Sequence, residues 1–290
     1  MDSGDGFHKQ VQVMSVSLLA SPYLSMHSHQ PWFVLQAAKA FSVSISDSPL
    51  ISHFYSFETP SFSPFMLSVP DGCIDILFDC DDTHPSVSVH GTMLQAGSVE
   101  FCKGRRYVGV RFSPGVIPDF LNLSAEELIE GSFDLLDVSV NAERVFEQVV
   151  REKNFVTQLT FLKHFLLTNT APRKSLKLTL PVVNMICQAQ GNIGIKRLES
   201  LTGYTIRTLQ RSFQNDLGMT PKMFCRIIRC QSAIYKIHHN DIGFSDLAVD
   251  LGFSDQPHFL REFKHLVSAT PLDYKNRILK EDFVSRMQFY

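Results

Sequence analysis

No Cys-x-x-Cys pair occurs in this 290-residue sequence. The six cysteines, Cys73, Cys80, Cys102, Cys187, Cys225 and Cys230, stand apart, which argues against a zinc knuckle and a thioredoxin-like redox motif. Free, buried thiols are the reading that remains, although Lys103 and Arg105 lie close to Cys102. Long hydrophobic runs are missing too. Nothing approaches the roughly 20 uninterrupted apolar residues of a membrane helix, so no membrane partner is expected. The start, Met1-Asp2-Ser3-Gly4-Asp5, is acidic and does not read as a secretory signal, so a cytoplasmic location is expected. A strong charge of one sign is lacking as well, the net being -2.

That balance conceals two unequal parts. Residues 1–175 hold 12 Lys and Arg against 19 Asp and Glu, whereas residues 176–280 hold 14 against 8, with four histidines besides. An acidic front and a basic back imply that only the back meets a polyanion. At this length two domains are expected, each able to bury its own core.

The basic part contains one helical pattern twice. Ile195 to Thr205 is followed by Ile206-Arg207-Thr208-Leu209-Gln210-Arg211-Ser212-Phe213; Phe244 to Ser254 is followed by Asp255-Gln256-Pro257-His258-Phe259-Leu260-Arg261-Glu262-Phe263-Lys264. In each copy a short amphipathic helix stops at a Gly, an aromatic follows, and a Thr or Ser can cap a second helix. Helix, Gly-containing turn and basic second helix are the signature of helix-turn-helix DNA binding.

On the first second-helix, Ile206, Leu209 and Phe213 form one stripe, which leaves Arg207, Gln210, Arg211 and Gln214 outward. Arg can bond bidentately to guanine and Gln to adenine, so these four are candidate DNA contacts. On the second copy Phe259, Phe263 and Leu266 form the core stripe, and Gln256, Pro257, His258, Arg261 and Lys264 are the candidates, with His265 beside them. Lys196 and Arg197 could clamp phosphate. A helix over Pro221 to His238 joins the copies; some 18 residues span ~27 Å, the scale of the ~34 Å between successive major grooves.

The front reads as strands over Val11 to Leu19, Ile51 to Phe57, Phe65 to Val69, Cys73 to Phe78, Ser86 to His90 and Tyr107 to Phe112, separated by turn punctuation such as Pro70-Asp71-Gly72. Asp71 and Gly72 suit a hairpin turn, and Arg111 should pair with a carboxylate such as Asp75. Helices are expected over 116–121, 125–130, 142–150 and 156–167. Phe155, Leu159, Leu162 and Leu166 form a stripe that either packs on the sheet or pairs with a second copy. His27, His29, His53, His84 and His90 invite a metal, yet no third ligand stands at a suitable spacing; neither metal nor cofactor is expected. Polar, basic residues 169–177, broken by Pro172, read as a linker.

The fold expected is α+β: an N-terminal β-rich barrel or sandwich with accessory helices over 1–168, then an all-α domain over 178–280 of two helix-turn-helix units joined by a long helix, with a tail over 281–290. Gly203-Tyr204-Thr205, Leu209-x-Arg211-x-Phe213, Leu217-Gly218-Met219-Thr220-Pro221, Gly252-Phe253-Ser254-Asp255-Gln256, His258-Phe259 and Ala269-Thr270-Pro271 resemble the AraC/XylS family of transcription regulators. Pro70 to Phe78, Gly91 and Val108 to Gly115 resemble an uncharacterised sensor-type domain found ahead of such DNA-binding domains. The resemblance implies binding of double-stranded DNA by both recognition helices, transcriptional activation with RNA polymerase as a partner, and an effector-sensing or dimerising front; a small-molecule effector and a homodimer are the further partners it suggests. One departure stands out. Where the family places Ala after the Leu of each positioning helix, as in Leu247-Ala248, the first unit has Leu198-Glu199, so Glu199 should either snorkel outward or open the helix crossing. The competing reading is a DNA-binding module on an alkyl-transfer repair enzyme, for which the cysteine spacing supplies no metal-held or activated cluster.

Overall fold

The computed structural model describes residues 30–61, 65–171, 173–239, 242–281 and 285–290. The strand expected over 11–19 and both His27 and His29 lie outside the described residues. A short helix α1 (Pro31–Gln36) comes first, with its Pro in the first turn, where a missing N–H has no intrahelical partner to lose. Strands β1 (Phe41–Ile45), β2 (Ile51–Glu58), β3 (Phe65–Ser68), β4 (Asp75–Asp79), β5 (Ser86–His90), β6 (Gly97–Glu100), β7 (Arg106–Phe112) and β8 (Ser132–Asp134) follow, and β9 (Met287–Phe289) returns from the other end of the chain. Seven of them form one sheet in the order β8-β5-β4-β7-β2-β1-β9, while β3 and β6 make a separate ribbon. The front is therefore β-rich as expected, with a seven-stranded sheet and a two-stranded ribbon among the described residues.

Strand alternation gives the sheet two apolar faces. Tyr55, Phe57, Leu77 and Tyr107 pack with Phe33 of α1, Met66 of the ribbon and Phe101. Phe54, Ile76, Phe78, Val108 and Val110 point the other way. After α2 (Leu135–Val138), helices α3 (Glu143–Arg151) and α4 (Phe155–Asn169) supply that second face with Val145, Val149, Leu159, Leu162 and Leu166. The apolar stripe of α4 thus packs on the sheet.

Two expected helices are not formed. Residues 116–121 and 125–130 are turns and irregular chain, and Pro118 has no N–H to give a helix. Their apolar residues Val116, Ile117, Leu121, Ala125 and Leu128 are buried all the same, so the spacing reflects packing of an irregular segment. The Pro70–Gly72 turn also differs from expectation: it carries the chain from the ribbon to the sheet and closes no hairpin.

Segment 169–177 is fastened to the front. Ala171 and Asp119 exchange two hydrogen bonds of 2.9 and 3.0 Å, and an Arg173 guanidinium nitrogen donates to the Leu121 carbonyl at 2.6 Å. Beyond it come α5 (Thr179–Gln188), α6 (Ile195–Thr202), α7 (Ile206–Leu217), α8 (Pro221–His239), α9 (Phe244–Asp250), α10 (Gln256–Val267) and α11 (Pro271–Lys280). Residues 287–289, expected as tail, lie parallel to β1, pairing Phe41 with Met287 and Val43 with Phe289.

The two halves share apolar core. Phe112, Val116, Leu176, Val183, Phe213 and Phe224 belong to one continuous cluster, and Trp32, Leu35 and Val69 join the cluster of the second helical unit. The Pro70–Gly72 turn lies at this junction. Gly72 has φ +73°, and a Cβ there would stand 2.8 Å from the Phe224 ring of α8, so only glycine fits. The Gln231 side chain, buried on α8, donates to the Pro70 carbonyl at 2.8 Å.

Candidate nucleic-acid interface

In the first unit, α6 ends where Gly203 takes left-handed backbone (φ 73°) and its N–H bonds the Glu199 carbonyl, the turn that glycine makes without a Cβ penalty. Thr205 then caps α7, its hydroxyl accepting from the Thr208 N–H at 3.2 Å. Leu198, Leu209 and Phe213 are fully buried and hold the two helices together.

Glu199 takes neither expected course. Its half-buried carboxylate accepts from the Ile206 N–H at 3.1 Å, so it caps an otherwise unsatisfied donor at the start of α7. Glu199→Ala is expected to destabilise the first unit by about 1 kcal/mol. Urea denaturation compared with the parent protein would test this; an unchanged midpoint would show that the cap contributes nothing.

In the second unit α9 is followed by Gly252, and α10 is capped by Asp255, whose carboxylate accepts from the His258 N–H at 2.6 Å. The sequence pattern points to Ser254 as cap. Ser254 instead bonds the Asp255 carboxylate and the His258 ring, because α10 begins one residue later, with Pro257 inside its first turn. The cap bond holds the Asp255 carboxyl below the usual carboxylate range.

The rod α8 is 19 residues long, or about 28 Å. Arg226 on it bonds Glu262 of α10 through two contacts of 2.7 and 2.8 Å, and this pairing lowers the Glu262 pKa. Arg229 caps the Gly191 carbonyl at 3.0 Å and lies 5.0 Å over the Phe253 ring. Both are half-buried, where helical spacing alone would place them toward water. A cleft of about 470 Å³ separates the units, lined by Ile195, Lys222, Arg226, Phe253, His258 and Phe263 among others.

Residues 198–277 match a helix-turn-helix domain family. Residues 73 in number are 33% identical to the HTH-type transcriptional activator RhaS of Yersinia pestis, over 25% of this chain and 27% of that protein. Residues 198–277 are an AraC-type helix-turn-helix domain. An uncharacterized HTH-type transcriptional regulator of Haemophilus influenzae is 24% identical over 102 residues, 35% of this chain and 34% of that protein. The matches therefore span about a third or less of these relatives' length. Residues 48–134 match a domain of unknown function (DUF6597). Among solved structures, ToxT from Vibrio cholerae aligns over 82% of this chain and 99% of its own, with 15% identity and a TM-score of 0.42.

Within the AraC-type domain the expected faces are largely open. Arg207, Gln210, Arg211 and Gln214 on α7 are all exposed, although the Gln214 amide donates to the Gly218 carbonyl at 3.1 Å and is partly committed to the helix end. Lys196 and Arg197 on α6 are exposed, as are Pro257, Arg261, Lys264 and His265 on α10. Gln256 and His258 are half-buried. His258 leans edge-on against Phe253 at 5.4 Å and lines the cleft, so its ring is turned partly inward. Tyr204, an aromatic 46% exposed in the turn between α6 and α7, lies outside both stripes; its signal is the neighbouring Gly203, which puts the next residue on the loop surface.

Three of the buried cysteines point away from nucleophilic chemistry. Burial pushes Cys80 and Cys225 up to about 11 and Cys187 up to about 12, the direction opposite to an activated thiolate. Among the described residues no three His, Cys, Asp or Glu side chains gather as a metal site.

Proposed function

We propose that this chain is a sequence-specific, effector-responsive activator of transcription that reads two successive major-groove segments of double-stranded DNA. The observation that carries the reading is the doubled arrangement itself. Each unit buries its aromatic and leucine stripe completely and turns a face bearing Arg, Lys or Gln to solvent, and one continuous helix joins the two. In this reading Arg207, Gln210 and Arg211 of the first unit and Arg261 and Lys264 of the second are the principal contacts. Gln214, Gln256, Pro257 and His258 contribute at the edges, and Lys196 and Arg197 hold phosphate. Residues 1–168 serve as the sensing or dimerising module, 169–177 as the connection and 178–280 as the reading module. RNA polymerase, a small-molecule effector and a second copy of the chain are the partners that complete it.

Selection of bound duplexes from a random pool, followed by affinity measurements at fixed salt, tests the proposal. Arg211→Ala is expected to cost about 1–3 kcal/mol and to relax base preference at one position. Lys264→Ala, if it meets phosphate, should weaken all duplexes alike and flatten the salt dependence. Failure of the full chain to enrich any sequence over random competitor at moderate salt would overturn the reading.

A further inference from the structure

The face of the sheet turned toward the ribbon holds a cavity of about 350 Å³ that the packing does not fill, within the range of small-molecule pockets. Its aromatic walls are Phe33 of α1, Tyr55 of β2 and Phe101. Four carboxylates line it, those of Asp71, Asp75, Glu100 and Glu130, against the single guanidinium of Arg111. That guanidinium is already committed: it bonds Asp71 at 3.0 Å and Asp75 at 2.7 Å. His90, also on the wall, has its pKa lowered by burial and adds no positive charge at neutral pH. Glu100 and Glu130 are exposed carboxylates with no ion-pair partner among the described residues. A cavity that combines surplus negative charge with aromatic walls favours an organic cation, whose charge pairs with carboxylate while its apolar body packs on the rings. An anion would be repelled.

The residues of this wall alternate along the chain with residues that hold the reading module. Gln30 donates to the Asp71 carboxylate at 2.8 Å, and Phe33 lines the cavity. Between them, Trp32 points the other way; its indole N–H donates to the Val267 carbonyl at the end of α10 at 3.2 Å, and its ring meets Tyr274 of α11 edge-on at 5.5 Å. Asp71 is flanked in the same manner by Pro70, which accepts from Gln231, and by Gly72 against Phe224. A shift of either wall segment must therefore move a contact to the rod or to the second unit.

We propose that this cavity binds a small organic cation, an amine or guanidine on an apolar body, and that its occupancy reaches the second reading unit through α1 and the Pro70–Gly72 turn. The regulatory part rests on the DNA-binding reading above; the binding part does not. Trp32 is the sole tryptophan of the chain, so intrinsic tryptophan emission comes only from this joint between α1 and the second unit.

The full chain is titrated with 2-phenylethylamine and 1-butylguanidine, and in parallel with 2-phenylethanol and phenylacetate, following heat of binding and Trp32 emission. A cation should bind and shift the emission, the alcohol should bind at least about tenfold more weakly, and the carboxylate not at all. Glu130→Gln, a surface change that keeps the side-chain shape, should weaken the cation about tenfold without altering thermal unfolding of the unliganded protein. Absence of binding by either cation up to its solubility limit, equal binding of the alcohol, or an unchanged affinity in Glu130→Gln would each overturn the site. Binding without any change in Trp32 emission would overturn the route. Duplex affinity is measured separately on the unliganded protein, so a chain that binds the cation but no DNA refutes the regulator and leaves the cavity assignment standing.

Discussion

Arg111→Leu is expected to lower the free energy of unfolding by about 3–5 kcal/mol, the penalty for stranding buried charges without a partner. Arg111 sits on the central strand β7, directly across from Asp75 on β4, and is 4% exposed. Burial works against its charge, but Asp75 and Asp71 outweigh burial and raise its pKa well above the ordinary value. Tyr55 adds a hydrogen bond to Asp75 at 2.8 Å, and the Cys73 N–H adds one to Asp71 at 2.9 Å. Removing the guanidinium leaves Asp71 inside the protein with burial as the main influence on it, and burial raises its pKa.

With its folded-state pKa above the unfolded value, Asp71 in the variant takes up a proton more readily when folded, so variant stability recovers as pH falls from neutral through that raised value. The gap to the parent protein should therefore narrow toward acid. Adding Asp71→Asn and Asp75→Asn to the variant should restore much of the loss, since neutral groups of the same shape need no counter-charge. Urea denaturation at several pH values measures all of this. A loss below about 1 kcal/mol at neutral pH, the scale of an exposed pair, would show that the cluster is solvated.

Trp32→Ala is expected to cost about 3–5 kcal/mol, as for other large aromatic truncations in a core, with the damage concentrated at the joint between the halves. Trp32 is 2% exposed, its ring is capped by the Arg277 guanidinium at 4.9 Å, and its indole N–H satisfies a carbonyl at the end of α10. Trp32→Phe retains much of the apolar contact and loses the hydrogen bond, so about 1 kcal/mol is expected. Hydrogen exchange should show faster opening of residues 256–280 in Trp32→Ala than in the parent, whereas β4 and β7 keep their protection. Equal acceleration everywhere would mean that Trp32 supports the whole chain and does not specifically tie the second unit to the front.

How much of this was legible beforehand depends on the range of the interaction. The spacing of Leu209 and Phe213, of Phe259 and Phe263, and of Gly203 and Thr205 is read within three or four residues, and helix faces and caps follow from it. The strands at 51–58, 86–90 and 106–112 also show in local alternation. Short elements such as β1, β6, β8 and α1 were not legible, because three to six residues carry too little pattern to separate them from loop. The false helices at 116–121 and 125–130 arise from the opposite cause: apolar residues buried under a neighbouring element imitate a period they do not have. Ser254 and Asp255 are both capable caps in the sequence, and backbone geometry chose between them.

The sequence by itself determined two helix-turn-helix units on one rod, a basic back and an acidic β-rich front, because each rests on residues near one another in the chain. Only the tertiary structure decided that Arg111 is shared between Asp71 and Asp75, that Glu199 caps the next helix, that Trp32 reaches Val267 across 235 positions, and that residues 287–289 extend the sheet begun by β1. Such pairings depend on which surfaces meet after the chain has closed on itself, and no spacing along the chain records that.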